Sequence, residues 1–305
     1  MGEFSGAENI IKQEKEEKPR YRLMVSRHAE RLPSGSLSSE GIEFSRRKGV
    51  KIGEATEVLK GYASDEKTKR TSLTSDLVSE SSGIISPLTK KQYKTHIVED
   101  IQYSVFNPDL TFLLERGKKI TDEATIKELG LPEGTILEEL SQEEQIKIAP
   151  IRQKNQELGF KSLFDYPEAI HRMAIGLAHQ LIHEIKLFDR YKKIREKNKP
   201  LEKDAILNTI SHGMFFEALF LEAGYIKDEK GALSKIDRYD FEDPNFGGLI
   251  MPSESFFLEI KDPQGVPDKI PVSFERRNRP KEGVIFIDKN RLLKLAEEYE
   301  EWKEK

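Results

Sequence analysis

Between residues 21 and 78 the chain alternates twice between a short apolar run and an amphipathic stretch, and this restricts the fold more than any other feature. Tyr21-Arg22-Leu23-Met24-Val25 reads as a buried strand. A loop follows at Leu32-Pro33-Ser34-Gly35-Ser36, and Ser38 or Ser39 can cap a helix that carries Ile42, Phe44 and Val50. Glu57 to Ser64 reads as a second strand, and the stretch from about Thr68 through Val78 as a second helix. Strand, helix, strand, helix implies right-handed crossovers and a parallel sheet. The expected class is α/β, in three layers: a mostly parallel sheet with helices on both faces.

The first strand runs out into Ser26-Arg27-His28-Ala29-Glu30-Arg31. The carboxyl end of a strand is where open α/β sheets place ligands. An arginine beside a histidine there offers a cation for a phosphoryl group and a nitrogen nucleophile to attack it; taken alone, the pair is equally a charged surface dipeptide. A second strand-like run, Ala205 to Ile210, also ends in a histidine, in Ser211-His212-Gly213. A helix packed through Phe215, Phe216, Leu219 and Phe220 follows at once. In a parallel sheet His28 and His212 emerge at the same edge, and Arg70, near the start of the second helix, reaches the same rim. Helix N-termini at that rim add N–H groups and positive dipole ends suited to a phosphate.

Composition narrows the alternatives. A chain of 305 residues can bury a substantial core as one large domain or two small ones. A net charge of −4 and a pI near 6.0 argue against a general nucleic-acid binder. Without cysteine there is neither a disulfide framework nor a zinc–thiolate site. No apolar stretch approaches the roughly 18–20 residues that span a bilayer, and Met1 to Arg20 lacks the apolar core of a signal peptide, so a cytoplasmic protein without a membrane partner is expected. Residues 1–19 read as a disordered tail and 20–305 as one domain. Within it, the charged, weakly helical stretch 81–165 breaks the rhythm and is expected to be an insertion over the sheet edge, acting as a lid, with helical segments at Ile120 to Leu129 and Glu138 to Leu158. Thr95 to Val98 is a third strand, continued irregularly by Ile101 and Tyr103. A long amphipathic helix is predicted from about Tyr166 to Ile194, strands near Leu249–Ile260 and Ile270–Phe274, and a closing helix from Arg291 to Trp302.

Four segments, in order, resemble the histidine phosphatase superfamily, the phosphoglycerate-mutase-like fold. Ser26 to Arg31 resembles its Arg-His-Gly signature, with Ala29 where glycine is usual. Leu37-Ser38-Ser39-Glu40-Gly41 resembles its Leu-Thr-x-x-Gly helix start. Tyr62-Ala63-Ser64 with Arg70-Thr71-Ser72-Leu73-Thr74 resembles its strand-plus-arginine segment, with a loop about two residues longer. Ser211-His212-Gly213 with Glu217-Ala218-Leu219 resembles its second-histidine motif. The resemblance implies a metal-independent phosphomonoester hydrolase. His28 would attack phosphorus in line as neutral imidazole and form a phosphohistidine that water hydrolyses. Arg27, Arg70 and His212, with Arg31, would hold the phosphoryl oxygens. A general acid is also required; Glu99 and Asp100 are the first candidates, Asp109 and Glu115 the next. Ser86-Pro87-Leu88-Thr89-Lys90 resembles an alternative arginine motif, but lysine is a poorer bidentate clamp than Arg70. The partner is a small-molecule or protein phosphomonoester, no cofactor or metal is called for, and oligomeric state is not legible. A phosphomutase and a non-catalytic phosphate-binding scaffold remain alternatives.

Other signals are weaker. His179 and His183 lie four apart on the long helix, as metal ligands can, but Gln180 stands where a metalloprotease motif has glutamate, and a packing or surface role is expected. His96 and His171 have no evident partner. Glu275-Arg276-Arg277-Asn278-Arg279-Pro280 reads as a charged turn and Gly247-Gly248 as a turn outside any phosphate loop.

Overall fold

Alternation along β1 (Tyr21–Arg27) decides the layers. Tyr21, Leu23 and Val25 point into one cluster with Met173, Leu177 and Leu181, while Met24 points into another with Ile52, Leu59 and Val78. The sheet is therefore covered on both faces. The computed structural model describes residues 20–29, 32, 36–64, 70–85, 91–92, 94–98, 101, 111–198, 202–243, 246–252, 254–263, 265–275 and 283–304.

Helix α1 (Ser39–Ala55) starts at Ser38, whose side chain accepts from the Gly41 N–H, and leads into β2 (Thr56–Ser64). Helix α2 (Arg70–Ser82) packs beside α1 on the Met24 face. After β3 (His96–Val98) come α3 (Thr111–Leu129) and α4 (Gln142–Lys161), then the long helix α5 (Pro167–Asn198). Strand β4 (Asp204–Ser211) enters α6 (Gly213–Ala223). The chain closes with β5 (Gly224–Lys227), β6 (Leu233–Lys235), β7 (Ser255–Ile260), β8 (Lys269–Phe274), β9 (Ile285–Asp288) and α7 (Lys289–Lys303).

The sheet runs β3-β2-β4-β1-β7-β8-β9-β5-β6. The fold is mixed α/β: six of the nine strands point the same way, yet only three of the eight pairings among the described residues are parallel. Those three join β3, β2, β4 and β1, the strands that form one reactive edge. From β7 onward every pairing is antiparallel, and β5, β6 and β9 are elements the sequence reading did not contain. The reason is physical: β6 is three residues, all exposed, and β5 and β9 are four each, too short for a period to register.

Two further boundaries differ from expectation. Leu249 to Pro252 are not strand: the Ile250 N–H donates to Glu217 Oε1 and the Met251 N–H to Glu254 Oε2, side-chain acceptors in place of a ladder. The charged stretch is strongly, not weakly, helical. Helix α4 begins at Gln142 and not at Glu138, since Ser141 and Glu144 form a reciprocal capping box. Helices α3 and α4 cross through Gly117 and Gly159, where a Cβ on Gly159 would collide with the Gly117 carbonyl. Arg152 Nε donates to Asp122 Oδ1 at 2.7 Å across the same pair. Residues 1–19, expected to be a tail, together with Tyr103, Lys90 and Arg276 to Pro280, lie outside the described residues.

Candidate active site

Strand register brings the two histidines together. Arg27 is the partner of Ser211 in the parallel β1–β4 pair, so the next residue on each strand, His28 and His212, leaves the sheet side by side. The His28 N–H still donates to the Ser211 carbonyl at 3.1 Å, which clasps the two strand ends. The rings stand 5.3 Å apart at 69°, and both residues are buried.

The hydrogen bonds settle which nitrogen of each ring carries a proton. His28 Nδ1 lies 2.8 Å from the Ala29 carbonyl, which can only accept, so Nδ1 is the N–H and the neutral ring has its lone pair on Nε2. On the other ring, His212 Nε2 is 3.4 Å from Ser64 Oγ. Ser64 Oγ donates to Thr71 Oγ1, and Thr71 Oγ1 donates to the Ser64 carbonyl. With both hydroxyl protons committed, Ser64 Oγ accepts from His212, and Nε2 of that ring carries hydrogen. One imidazole thus donates from Nδ1 to backbone and its neighbour from Nε2 to a hydroxyl.

Arg27 is buried against three elements. Its Nη1 donates to the Ile250 carbonyl and its Nη2 to Gln156 Oε1, both at 2.8 Å, and its Cζ lies 4.8 Å from the Phe160 ring centroid. Gly213 lies close against it: a Cβ at that position would stand 3.0 Å from the guanidinium carbon, so any side chain at the α6 start would press on Arg27. Glu217 in turn holds Ile250 by its N–H while Ile250 holds Arg27 by its carbonyl. Arg70 enters from the first residue of α2, and the start of that helix is tied to the His28 loop: the Ala29 N–H donates to Thr74 Oγ1, which donates to the Arg70 carbonyl at 2.8 Å. The Ala29 methyl packs with Leu37 and Leu77, which gives the side chain that replaces the usual glycine a place of its own.

These groups line one cleft of about 260 Å³. Arg27, His28, Arg70 and His212 occupy one part, and α3 and α4 supply the remaining wall through residues such as Lys118, Arg152, Gln156 and Phe160. The N-terminus of α6 opens onto the cleft through Gly213, and His212 at its cap makes no side-chain cap bond to it. Two guanidiniums, a protonated imidazole nitrogen and helix N–H groups favour a tetrahedral dianion.

Of the carboxylates named from sequence, Glu115 lines a neighbouring groove on α3 and not this cleft. Arg31, Glu99, Asp100 and Asp109 lie outside the described residues. The residues that flank Glu99 and Asp100 are placed, however: Val98 pairs with Ser64, and the Ile101 carbonyl accepts from Ser211 Oγ at 3.0 Å. Among the described residues the one carboxylate lining the cleft is Glu138. Burial pushes its pKa up, but the Lys118 hydrogen bond and the charges of Lys118 and Arg152 outweigh this and lower it, which disfavours the protonated form a general acid needs.

Sequence searches find no matching family model and no matching curated protein. Among solved structures, the chain is similar to a mycobacterial glucosyl-3-phosphoglycerate phosphatase over 85% of this chain and 99% of that one, at 11% identity and a TM-score of 0.36. It is similar to the phytase of Citrobacter braakii over 92% and 98%, at 12% identity and a TM-score of 0.45. A phosphoserine phosphatase of Entamoeba histolytica matches over 89% and 99%, at 12% identity and a TM-score of 0.32. These neighbours are histidine phosphatase superfamily members. At such identities and scores the likeness argues nothing about activity, which has to come from the cleft.

Several participants had no name in the sequence reading. Ser64, Thr71, Thr74 and Glu217 stood inside the motif segments without a role; Gln156 and Phe160 stood outside them altogether. A buried layer also lies beneath the edge. Glu184 is wholly buried, accepts from Gln180 Nε2 at 2.6 Å and from Thr209 Oγ1, and its Oε2 has no partner among the described residues. Burial pushes its pKa up to about 7, against those two hydrogen bonds and the attraction of Lys60. Burial also lowers the Lys60 ammonium, opposed by Glu184, and raises the Tyr62 phenol, with Glu184 adding to the rise.

The other histidines are engaged elsewhere. His179 Nε2 meets Glu300 Oε1 at 2.6 Å and its ring stacks on Tyr299, while His183 is exposed. His171 sits between Glu222 and Glu298, each at 3.2 Å. No helix among the described residues is long and apolar enough to cross a membrane.

Proposed function

We propose that this protein is a phosphomonoester hydrolase that acts through a phosphohistidine on His28, without a metal. The observation that carries the proposal is the His28 tautomer: Nδ1–H is tied to the Ala29 carbonyl, and the lone pair on Nε2 belongs to a ring in a cleft with Arg27, Arg70 and His212. In the first step Nε2 forms a bond to phosphorus as the bond from phosphorus to the ester oxygen breaks. Glu99 or Asp100, next after β3, gives that oxygen its proton and leaves as carboxylate. Water, deprotonated by the same carboxylate, then attacks phosphorus; the N–P bond breaks and inorganic phosphate departs. Arg27, Arg70, Arg31 and the His212 N–H offset charge on the equatorial oxygens in both steps, which is how phosphoryl transfer is chiefly catalysed.

The test is release of inorganic phosphate from an aryl phosphate with a chelator present, for the parent, His28→Ala and His212→Ala. His28→Ala is expected to lose roughly three orders of magnitude or more in kcat, as loss of a nucleophile does. An acid-labile, alkali-stable phosphoenzyme should be trapped on the parent. Near-parental turnover by His28→Ala overturns the reading, and return of the phosphoryl group to substrate without net phosphate would make the protein a mutase instead.

A further inference from the structure

The two ends of the cleft differ in charge balance. At the histidine end, the described lining residues include Arg27, His28, Arg70 and His212. At the far end, where Lys118 and Glu138 also border the neighbouring α3 groove, the cations are already answered. Arg152 donates from Nε to Asp122 Oδ1 at 2.7 Å and reaches Glu138 Oε1 at 3.4 Å. Lys118 Nζ lies 3.0 Å from Glu138 Oε1 and 3.9 Å from Asp122 Oδ2. Each cation is shared by both carboxylates, and the four charges sum to zero. The rest of the described lining is neutral, including Leu113, Leu114, Leu163 and Phe160, with Gln156 and Thr121 as uncharged polar groups.

We propose that the substrate carries a single phosphate on an uncharged, partly apolar alcohol, and that Asp122 and Glu138, by neutralising Lys118 and Arg152, exclude esters that bear a second phosphate. A second dianion at the far end would have to displace carboxylates from cations they already hold, or lie beside them unpaired, and like charges in contact reject a ligand strongly. The inference rests on the phosphatase reading above and adds the substrate class to it.

The experiment compares kcat/KM for a hexose monophosphate and the hexose bisphosphate of the same skeleton, in the parent and in two variants at partly exposed positions. In the parent the monophosphate should lead by about tenfold or more, the scale that an unfavourable charge contact gives. Glu138→Gln uncovers positive charge and should narrow the gap or reverse it. Lys118→Gln leaves negative charge in surplus and should widen it. A parent that hydrolyses the bisphosphate as well as the monophosphate, or variants that leave the ratio unmoved, overturn the proposal while the phosphatase reading stands. A parent that hydrolyses no ester, the aryl phosphate included, overturns both.

Discussion

The sheet edge and the α3–α4 pair line the same cleft, but they are built on different principles. At the edge, backbone does much of the holding: His28 meets the Ala29 and Ser211 carbonyls, Arg27 the Ile250 carbonyl, and Gly213 lets the α6 start approach closely. Backbone positions are set by strand register, so they tolerate little change. Across the cleft, α3 and α4 hold one another through side chains: the largely buried Arg152–Asp122 pair and the more exposed Lys118–Glu138 pair. Under the proposed reading, chemistry would rest on geometry that is costly to alter, and the choice of leaving group on a charge network between two helices.

Arg27→Lys should break the contrast most severely. Lysine cannot reach the Ile250 carbonyl and Gln156 together as a planar fork does, and loss of roughly 10²–10³ in kcat/KM is expected for a clamp on transferring phosphate; a loss under tenfold would place Arg27 outside the chemistry. Gly213→Ala tests the same edge without touching charge. Its methyl would press on the guanidinium, which has to yield by a few tenths of an ångström, and a fall of roughly tenfold in kcat with unchanged far-ultraviolet circular dichroism is expected.

A third change probes the layer beneath the edge. The Glu184 pKa is raised from 4.5 to about 7 in the folded protein, so between those values the native state binds more protons than the unfolded one. Stability should therefore fall as pH rises through that window and stay lower above it. Glu184→Gln removes the effect, with a gain on the order of 3 kcal/mol above about pH 8 and none near pH 4, measured by denaturant unfolding. A parental curve that rises across the window would refute the assignment. The smallest effect belongs to the facing helix: Gln156→Leu deletes the Arg27 acceptor on α4 and should cost about tenfold or less in kcat/KM, with substrate affinity and not the His28 step affected.

What the residues of the sequence announced by themselves was local. A strand that ends in Arg27-His28 and another that ends in His212-Gly213 are contiguous words whose meaning does not depend on the rest of the chain, and the helical periods of α5 and α7 are long enough to read. Even the turn at Gly247-Gly248 was legible, since both residues take positive φ. Pairings between distant segments were not. Nothing in Gln156 or Phe160 points to Arg27, and nothing in Thr74 points to Ala29, because those contacts exist only once α4 and α2 are docked against the strand ends. The antiparallel half of the sheet escaped for a related reason: strands of three and four residues have too few alternations to carry a period, and partners in three dimensions define them. Sequence nominated side chains that could do chemistry; register and packing decide which nitrogen of each imidazole faces an acceptor, because a tautomer depends on the acceptor beside it.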